Sequence, residues 1–322
     1  MNRPRIAVIG AGAWGTALAL LAHRAGHAVT LWARDPARAA AIAATRHNPR
    51  LPGAALPADL ALCSNALPDG ADAVLLVVPV AHLRKIAAAL PPGDAPLIAC
   101  CKGMEGESLA LPLEVLAALH PARARAMLSG PNFAAEIAAG KPAAAVIASA
   151  DAPLRQRLAI LLAAPGFRVY GNDDPQGVQL CAAAKNVIAI AAGAVIGAGL
   201  GENARAALIT RALAELARLI VACGGRAETV AGLSGLGDLL LTATGPASRN
   251  FSAGLALGRG EAPHDPARGV AEGLAAAPAL AAYAARHAVE MPVIDAVAAL
   301  IAGRIGLAAA MAALLSRPQR DE

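Results

Sequence analysis

The segment Gly10-Ala11-Gly12-Ala13-Trp14-Gly15 lies between an apolar run, Arg5-Ile6-Ala7-Val8-Ile9, and a helix-length run from Thr16 to Ala25. No other feature constrains the chain as much. A strand has to turn sharply into a helix at G-x-G-x-x-G. The first glycine permits the turn, the second lets the backbone approach a ligand, and the third lets the helix pack on the strand. The helix N-terminus then offers unpaired N–H groups and the positive end of its dipole to phosphate. Gly10, Gly12 and Gly15, with Ala13 and Trp14 between them, are the expected contacts to a dinucleotide pyrophosphate.

The first half of the chain continues in the same manner. Apolar runs at 6–10, 29–32, 74–78, 96–101, 126–129 and 143–148 alternate with helix-length segments, as parallel strands joined by crossover helices do. Val74 to Val78 is apolar at every position, which suits a strand covered on both faces. From Pro175 onward the texture changes to long apolar helical segments, 176–199 and 202–223, the second stopped by Gly224-Gly225. The expected fold is of the α/β class. A Rossmann-like dinucleotide-binding domain spans residues 1–180, and an all-helical domain carrying substrate and catalytic residues spans 181–322. No internal repeat of solenoid period is visible.

Composition narrows the function classes. With 57% hydrophobic and 16% charged residues, long disorder is not expected. The uncharged run Val187 to Leu200 falls short of the roughly 20 residues a bilayer span needs. Segment 288–315 is interrupted by Glu290, Asp295 and Arg304. Both read as buried helices, and stable membrane insertion is not expected. The net charge of +5 comes from singly scattered basic residues, and aromatics are only 2%, which argues against nucleic acid as a partner. No basic-then-apolar leader precedes the first strand, so a cytoplasmic location is expected. The five cysteines, Cys63, Cys100, Cys101, Cys181 and Cys223, form no C-x-x-C pair and are expected to stay reduced there. The histidines are scattered, and no metal is expected. A homodimer is left open.

The choice of dinucleotide turns on the end of the second strand, Val29-Thr30-Leu31-Trp32-Ala33-Arg34-Asp35. An NAD site usually places an acid there for the ribose 2′-hydroxyl. Here the strand ends in Ala33 and Arg34, while Asp35-Pro36 reads as a helix N-cap with proline at the first helical position. Arg34 suits a 2′-phosphate, which favours NADPH over NADH, or tolerance of both cofactors. The plainer reading, a solvated loop arginine, stays open.

Several polar residues interrupt apolar surroundings. Lys102 follows Cys100-Cys101 at the C-terminal end of an expected strand, the edge where open α/β sheets bind ligands. Ser129-Gly130-Pro131-Asn132-Phe133-Ala134 is a second strand end turning into a helix. Lys185 lies within Cys181-Ala182-Ala183-Ala184-Lys185-Asn186-Val187-Ile188. Burial and a nearby cation both lower a lysine's pKa, which is how lysine becomes a usable general base. A lysine that snorkels at a helix edge would show the same pattern. Downstream come Gly235-Leu236-Gly237-Asp238 and Ser248-Arg249-Asn250. Asp238 could pair with a lysine, and the second run offers donors for a phosphate or simply a turn with a capping serine.

Taken in order, these motifs resemble those of the bacterial glycerol-3-phosphate dehydrogenases, over residues 5 to about 275. The motifs that carry the resemblance are the glycine turn with Thr16-Ala17-Leu18-Ala19, Cys101-Lys102-Gly103-Met104-Glu105, Ser129 to Ala134, Ala184 to Ala189, Gly235 to Asp238, and Ser248 to Asn250. The resemblance implies hydride transfer between NADP or NAD and a small phosphorylated three-carbon substrate, in support of phospholipid synthesis. It implies Lys185 as the proton acceptor. Lys102, Gly130, Asn132, Lys185, Asp238, Ser248, Arg249 and Asn250 would surround glycerol 3-phosphate. Ala13, Trp14, Arg34, Lys102, Ala134, Arg249, Val270 and Glu272 would touch the dinucleotide. Asn132 stands where the family commonly has Ser or Thr, and Ala271 where it often has Val, so that cofactor contact rests mainly on Glu272. Two rivals are weighed beside this reading. A β-hydroxyacid or ketopantoate dehydrogenase would leave Ser248-Arg249-Asn250 unexplained. A non-catalytic dinucleotide-binding redox sensor would need no Lys185, Lys102 and Asp238.

Overall fold

The computed structural model describes residues 3–263 and 271–315. It divides into two compact units, one of Met1–Lys102 with Ala110–Pro175, the other of Gly103–Leu109 with Gln176–Glu322.

Among the described residues of the first unit, eight strands form one sheet. They are β1 (Arg5–Ile9), β2 (Ala28–Trp32), β3 (Ala61–Cys63), β4 (Ala73–Leu76), β5 (Leu97–Ala99), β6 (Arg125–Ser129), β7 (Ala143–Ala148) and β8 (Phe167–Asn172). Their order is β3-β2-β1-β4-β5-β6-β7-β8. The pairs from β3 through β6 are all parallel, which is the 3-2-1-4-5-6 order of a doubly wound dinucleotide-binding sheet. β7 joins β6 antiparallel and β8 pairs parallel with β7. Ile9 stands opposite both Trp32 and Leu76. The three central strands therefore end level, and the turns that follow them share one edge. The order reverses between β1 and β4, and ligands bind such sheets at that switch point.

The helices of this unit are α1 (Ala13–Arg24), α2 (Pro36–Thr45), α3 (Val80–Ala88), α4 (Pro112–Leu119), α5 (Ala134–Ala138) and α6 (Ala152–Leu162). Asp35 starts α2 as expected. Its carboxylate accepts the N–H groups of Ala37 at 3.0 Å and Arg38 at 3.4 Å, with Pro36 at the first helical position. Two strands were not foreseen. β3 has only three residues, too few to show a period. β8 lies at the sheet edge with Phe167 as its one buried residue, so its side chains lack the apolar run of a covered strand.

The second unit carries α7 (Pro175–Gly197), α8 (Gly201–Ala222), α9 (Asp238–Ala243), α10 (Arg249–Gly258), α11 (Glu272–Arg286), α12 (Pro292–Ile301) and α13 (Leu307–Leu315). α7 corrects one expectation. At 23 residues it is long and apolar enough to cross a membrane, so length does not rule that out. Every residue from Gly177 to Val195 is enclosed by protein. It is the core helix of its unit. Gly193 and Gly197 of α7 face Gly254 and Gly258 of α10. A Cβ at Gly193 would fall 2.1 Å from the Phe251 carbonyl oxygen, and one at Gly254 would fall 2.0 Å from that of Ile190. Only glycine permits backbones this close.

Candidate active site

The dinucleotide site is built by backbone. Gly10 adopts φ +122, and a Cβ there would strike the Val77 carbonyl oxygen at 2.3 Å. Gly15 is held equally tightly, with the Gly10 carbonyl oxygen 1.8 Å from where its Cβ would be. Gly12 differs. A Cβ on it would meet no protein atom within 4 Å, so packing does not account for the missing side chain. The space beside Gly12 at the N-terminus of α1 is where a pyrophosphate would approach. The residues present thus fit a dinucleotide. Ala13 and Trp14 form the first turn of α1, half-buried and packed against the core. Arg34 follows β2 and is exposed.

The ends of β5 and β6 bring together a second group in the same unit. Gly130 has φ +130 with Ala145 and Ala144 pressed against it. Lys102 Nζ donates to the Gly130 carbonyl oxygen at 3.3 Å. Asn132 Nδ2 donates to the Ala144 carbonyl oxygen at 3.3 Å. The Oδ1 of Asn132 and the Oγ of Ser129 are enclosed without a hydrogen-bond partner, so each can still take one from a ligand. Ala134 opens α5.

In the second unit, Lys185 does not reach out to solvent. It is 7% exposed, and Asp238 only 1%. Lys185 Nζ forms a hydrogen-bonded ion pair with Asp238 Oδ1 and also donates to Thr242 Oγ1 at 3.1 Å. The Thr242 hydroxyl in turn donates to the Asp238 carbonyl oxygen at 2.6 Å. A wide π-type turn, Leu233–Gly237, delivers Asp238 to the start of α9, a geometry often found at functional positions. A Cβ on Gly235 in that turn would lie 2.1 Å from the Val230 carbonyl oxygen. Buried ion pairs contribute little net stability, because desolvation offsets the attraction. A pair inside an otherwise apolar helix core therefore points to chemistry.

The expected phosphate donors divide. Ser248 caps α10, its Oγ accepting the Phe251 N–H at 3.3 Å. Arg249, next in the chain, is exposed. Asn250 is buried, with Nδ2 donating to Asn186 Oδ1 at 2.9 Å and Oδ1 accepting the Gly273 N–H at 2.9 Å. It thus ties α7, α10 and the start of α11, where Glu272 is half-buried. Val270 lies outside the described residues. Sequence reasoning singled out neither Thr242 nor a partner for Asn186. The first carried a signal, since it sits four residues after Asp238, on the same helix face.

A doubly wound sheet with a glycine turn at its switch point, together with a helical unit holding a buried lysine–carboxylate pair, defines a two-unit dinucleotide-dependent oxidoreductase. Comparison with known proteins is specific. Residues 5–154 match the family model of the NAD-dependent glycerol-3-phosphate dehydrogenase N-terminus, and residues 174–312 match that of its C-terminus. A glycerol-3-phosphate dehydrogenase of Acidiphilium cryptum that uses NAD or NADP is 59% identical, covering 99% of this chain and 98% of its own. One from Gluconobacter oxydans is 51% identical over 100% of this chain and 99% of its own. The crystal structure of the Coxiella burnetii glycerol-3-phosphate dehydrogenase superposes with a TM-score of 0.92 at 37% identity, covering 98% of this chain and 99% of that one. The chain belongs to the NAD-dependent glycerol-3-phosphate dehydrogenase family. A ketopantoate reductase of Ralstonia eutropha, at 20% identity and a TM-score of 0.61, shares the fold alone.

Proposed function

We propose that the protein interconverts dihydroxyacetone phosphate and sn-glycerol 3-phosphate in the cytoplasm, with NADPH favoured over NADH, and so supplies glycerol phosphate for phospholipids. The observation that carries the chemistry is the enclosed Lys185–Asp238–Thr242 set. When bound, the reduced nicotinamide supplies the hydride for C2. Lys185 gives a proton to the C2 oxygen during reduction and takes it back during oxidation. Asp238 and Thr242 fix the ammonium in position, and Asp238 pairs its charge. Arg249 at the exposed start of α10 is assigned to the phosphate, with Ser248 and Asn250 holding that helix end in place. Lys102, Gly130 and Asn132 are assigned to the substrate, the free Oδ1 of Asn132 being an acceptor for a hydroxyl. Gly10, Gly12, Ala13, Trp14, Gly15, Arg34, Ala134 and Glu272 are assigned to the dinucleotide, as is Val270 by resemblance.

The test is a panel on purified protein that follows NADPH and NADH consumption with dihydroxyacetone phosphate, unphosphorylated dihydroxyacetone, ketopantoate and other 2-keto acids. Turnover of dihydroxyacetone phosphate should exceed that of every unphosphorylated compound by orders of magnitude in kcat/KM. A 2-keto acid turned over as well as the phosphate ester would overturn the assignment.

A further inference from the structure

Three arginines gather beyond the end of β2. Arg34 follows that strand, Arg38 lies in the first turn of α2, and Arg50 lies in the loop after α2. Arg34 and Arg50 are exposed and Arg38 is half-buried, with its Nε enclosed and without a hydrogen-bond partner. Among the described residues no carboxylate forms an ion pair with any of the three. Asp35 is the nearest acid in sequence, and its carboxylate is turned onto the backbone N–H groups of α2. Burial, and after it the charges of Arg50 and then Arg34, hold the Arg38 guanidinium below its ordinary value, against the pull of Asp35. Arg38 thus lies in the field of both other arginines, a repulsion that a bound anion would relieve.

Their position is tied to the cofactor turn by Asn48, which is 1% exposed. Asn48 Nδ2 donates to Thr16 Oγ1 at 2.7 Å and to the Ala11 carbonyl oxygen at 3.2 Å. Its Oδ1 accepts the Arg50 N–H at 3.1 Å. One buried amide thereby fastens the loop carrying Arg50 to the glycine turn and to α1. A cationic cluster held beside the strand that receives the adenosine ribose suits a dianion on that ribose.

We propose that Arg38 and Arg50 complete, with Arg34, a three-arginine cradle for the 2′-phosphate of NADPH, and so set the preference between the two dinucleotides. This inference rests on the reading that NADPH is favoured. It predicts a shared load, in which no single arginine accounts for the whole preference.

The experiment is a binding titration by calorimetry and by NADPH fluorescence on wild type, Arg34→Ala, Arg38→Ala and Arg50→Ala. The probes are NADPH, NADH, adenosine 2′,5′-bisphosphate and 5′-AMP. Arg38→Ala and Arg50→Ala should each weaken NADPH and the bisphosphate by about tenfold, in line with a charge-assisted hydrogen bond. Both should leave NADH and 5′-AMP within about twofold, which also reports that the fold is intact. The salt dependence of NADPH binding should become shallower in each variant. If wild type binds NADPH no better than NADH, the preference itself is wrong and the cradle goes with it. If wild type prefers NADPH, and Arg34→Ala alone removes the preference, the cradle is wrong and the preference stands. Equal losses for NADPH and NADH in the Arg38 or Arg50 variants would mark those residues as structural and overturn the inference.

Discussion

Lys185 and Asp238 lie 53 positions apart in the chain and are both nearly sealed from water, so removing one strands the other. Lys185→Ala alone mixes two effects: loss of the proton carrier and an uncompensated buried carboxylate, the latter typically costing about 3–5 kcal/mol. The paired variant Lys185→Met with Asp238→Asn separates them. It should keep thermal stability near wild type and bind NADPH normally, while kcat falls by about 10²–10⁴-fold. A paired variant that retains a tenth of wild-type kcat would remove Lys185 from the chemistry. The glycine turn offers a second separation. Gly12→Ala places its methyl in open space, so the unliganded protein should melt within about 1 °C of wild type, as a change that disturbs no packing should. Dinucleotide affinity should drop at least tenfold, because the methyl takes the room of the pyrophosphate. Gly10→Ala is driven into the Val77 carbonyl at 2.3 Å and should lose stability before any ligand is added. If Gly12→Ala binds NADPH like wild type, the pyrophosphate does not lie against that turn.

The two glycine pairs of α7 and α10 set where the N-terminal end of α10 stands, and with it Ser248, Arg249 and Asn250. Gly254→Ala would put a methyl 2.0 Å from the Ile190 carbonyl oxygen, so the helices must separate. Overpacking of this kind costs about 1–3 kcal/mol, which for a chain of this size is a fall in Tm of roughly 1–5 °C. Raised KM for dihydroxyacetone phosphate should accompany it. Gly245→Ala is the matched control, since its Cβ meets nothing within 4 Å; a fall in Tm as large as that of Gly254→Ala would refute the packing argument. The same elements show what a linear reading could and could not find. β1 with its glycine turn, the fully apolar β4, and α7 are local signals, written in adjacent residues. β3 and β8 were missed because a three-residue strand has no period and an edge strand needs no apolar face. The Asn186–Asn250–Gly273 tie and the Lys185–Thr242 bond join residues 64, 23 and 57 positions apart. No spacing rule reaches that far, and only the ordered set of motifs pointed to those segments at all.

At the scale of the whole molecule, the glycine turn lies in the first unit and the Lys185–Asp238 pair in the second, and each unit has its own stability to keep. In the second unit one buried acid makes that stability depend on pH. Glu215 of α8 is 3% exposed, and both its oxygens accept the Val293 N–H, at 3.3 and 3.0 Å, in the first turn of α12. Burial pushes its carboxyl up from 4.5 to about 7, with Asp295 adding to the rise, while the Val293 N–H, Arg218 and Arg211 oppose it. Well below pH 4.5 the group is protonated in folded and unfolded chains alike, and the stability linked to its raised value is fully present. Between 4.5 and about 7 the folded protein holds a proton the unfolded chain has lost, so stability falls as pH rises. Above about 7 both states are ionised and the loss is complete. Glu215→Gln keeps an acceptor for the Val293 N–H and removes the titration. Denaturant unfolding at pH 5 and pH 8 should therefore show the variant gaining on wild type by about 2–3 kcal/mol between the two, at about 1.4 kcal/mol per pH unit of difference. Most of that gain should appear below pH 7. Parallel curves for the two proteins would mean that Glu215 ionises in the folded state as it does in water, and that the tie between α8 and α12 is held by a carboxylate at every physiological pH.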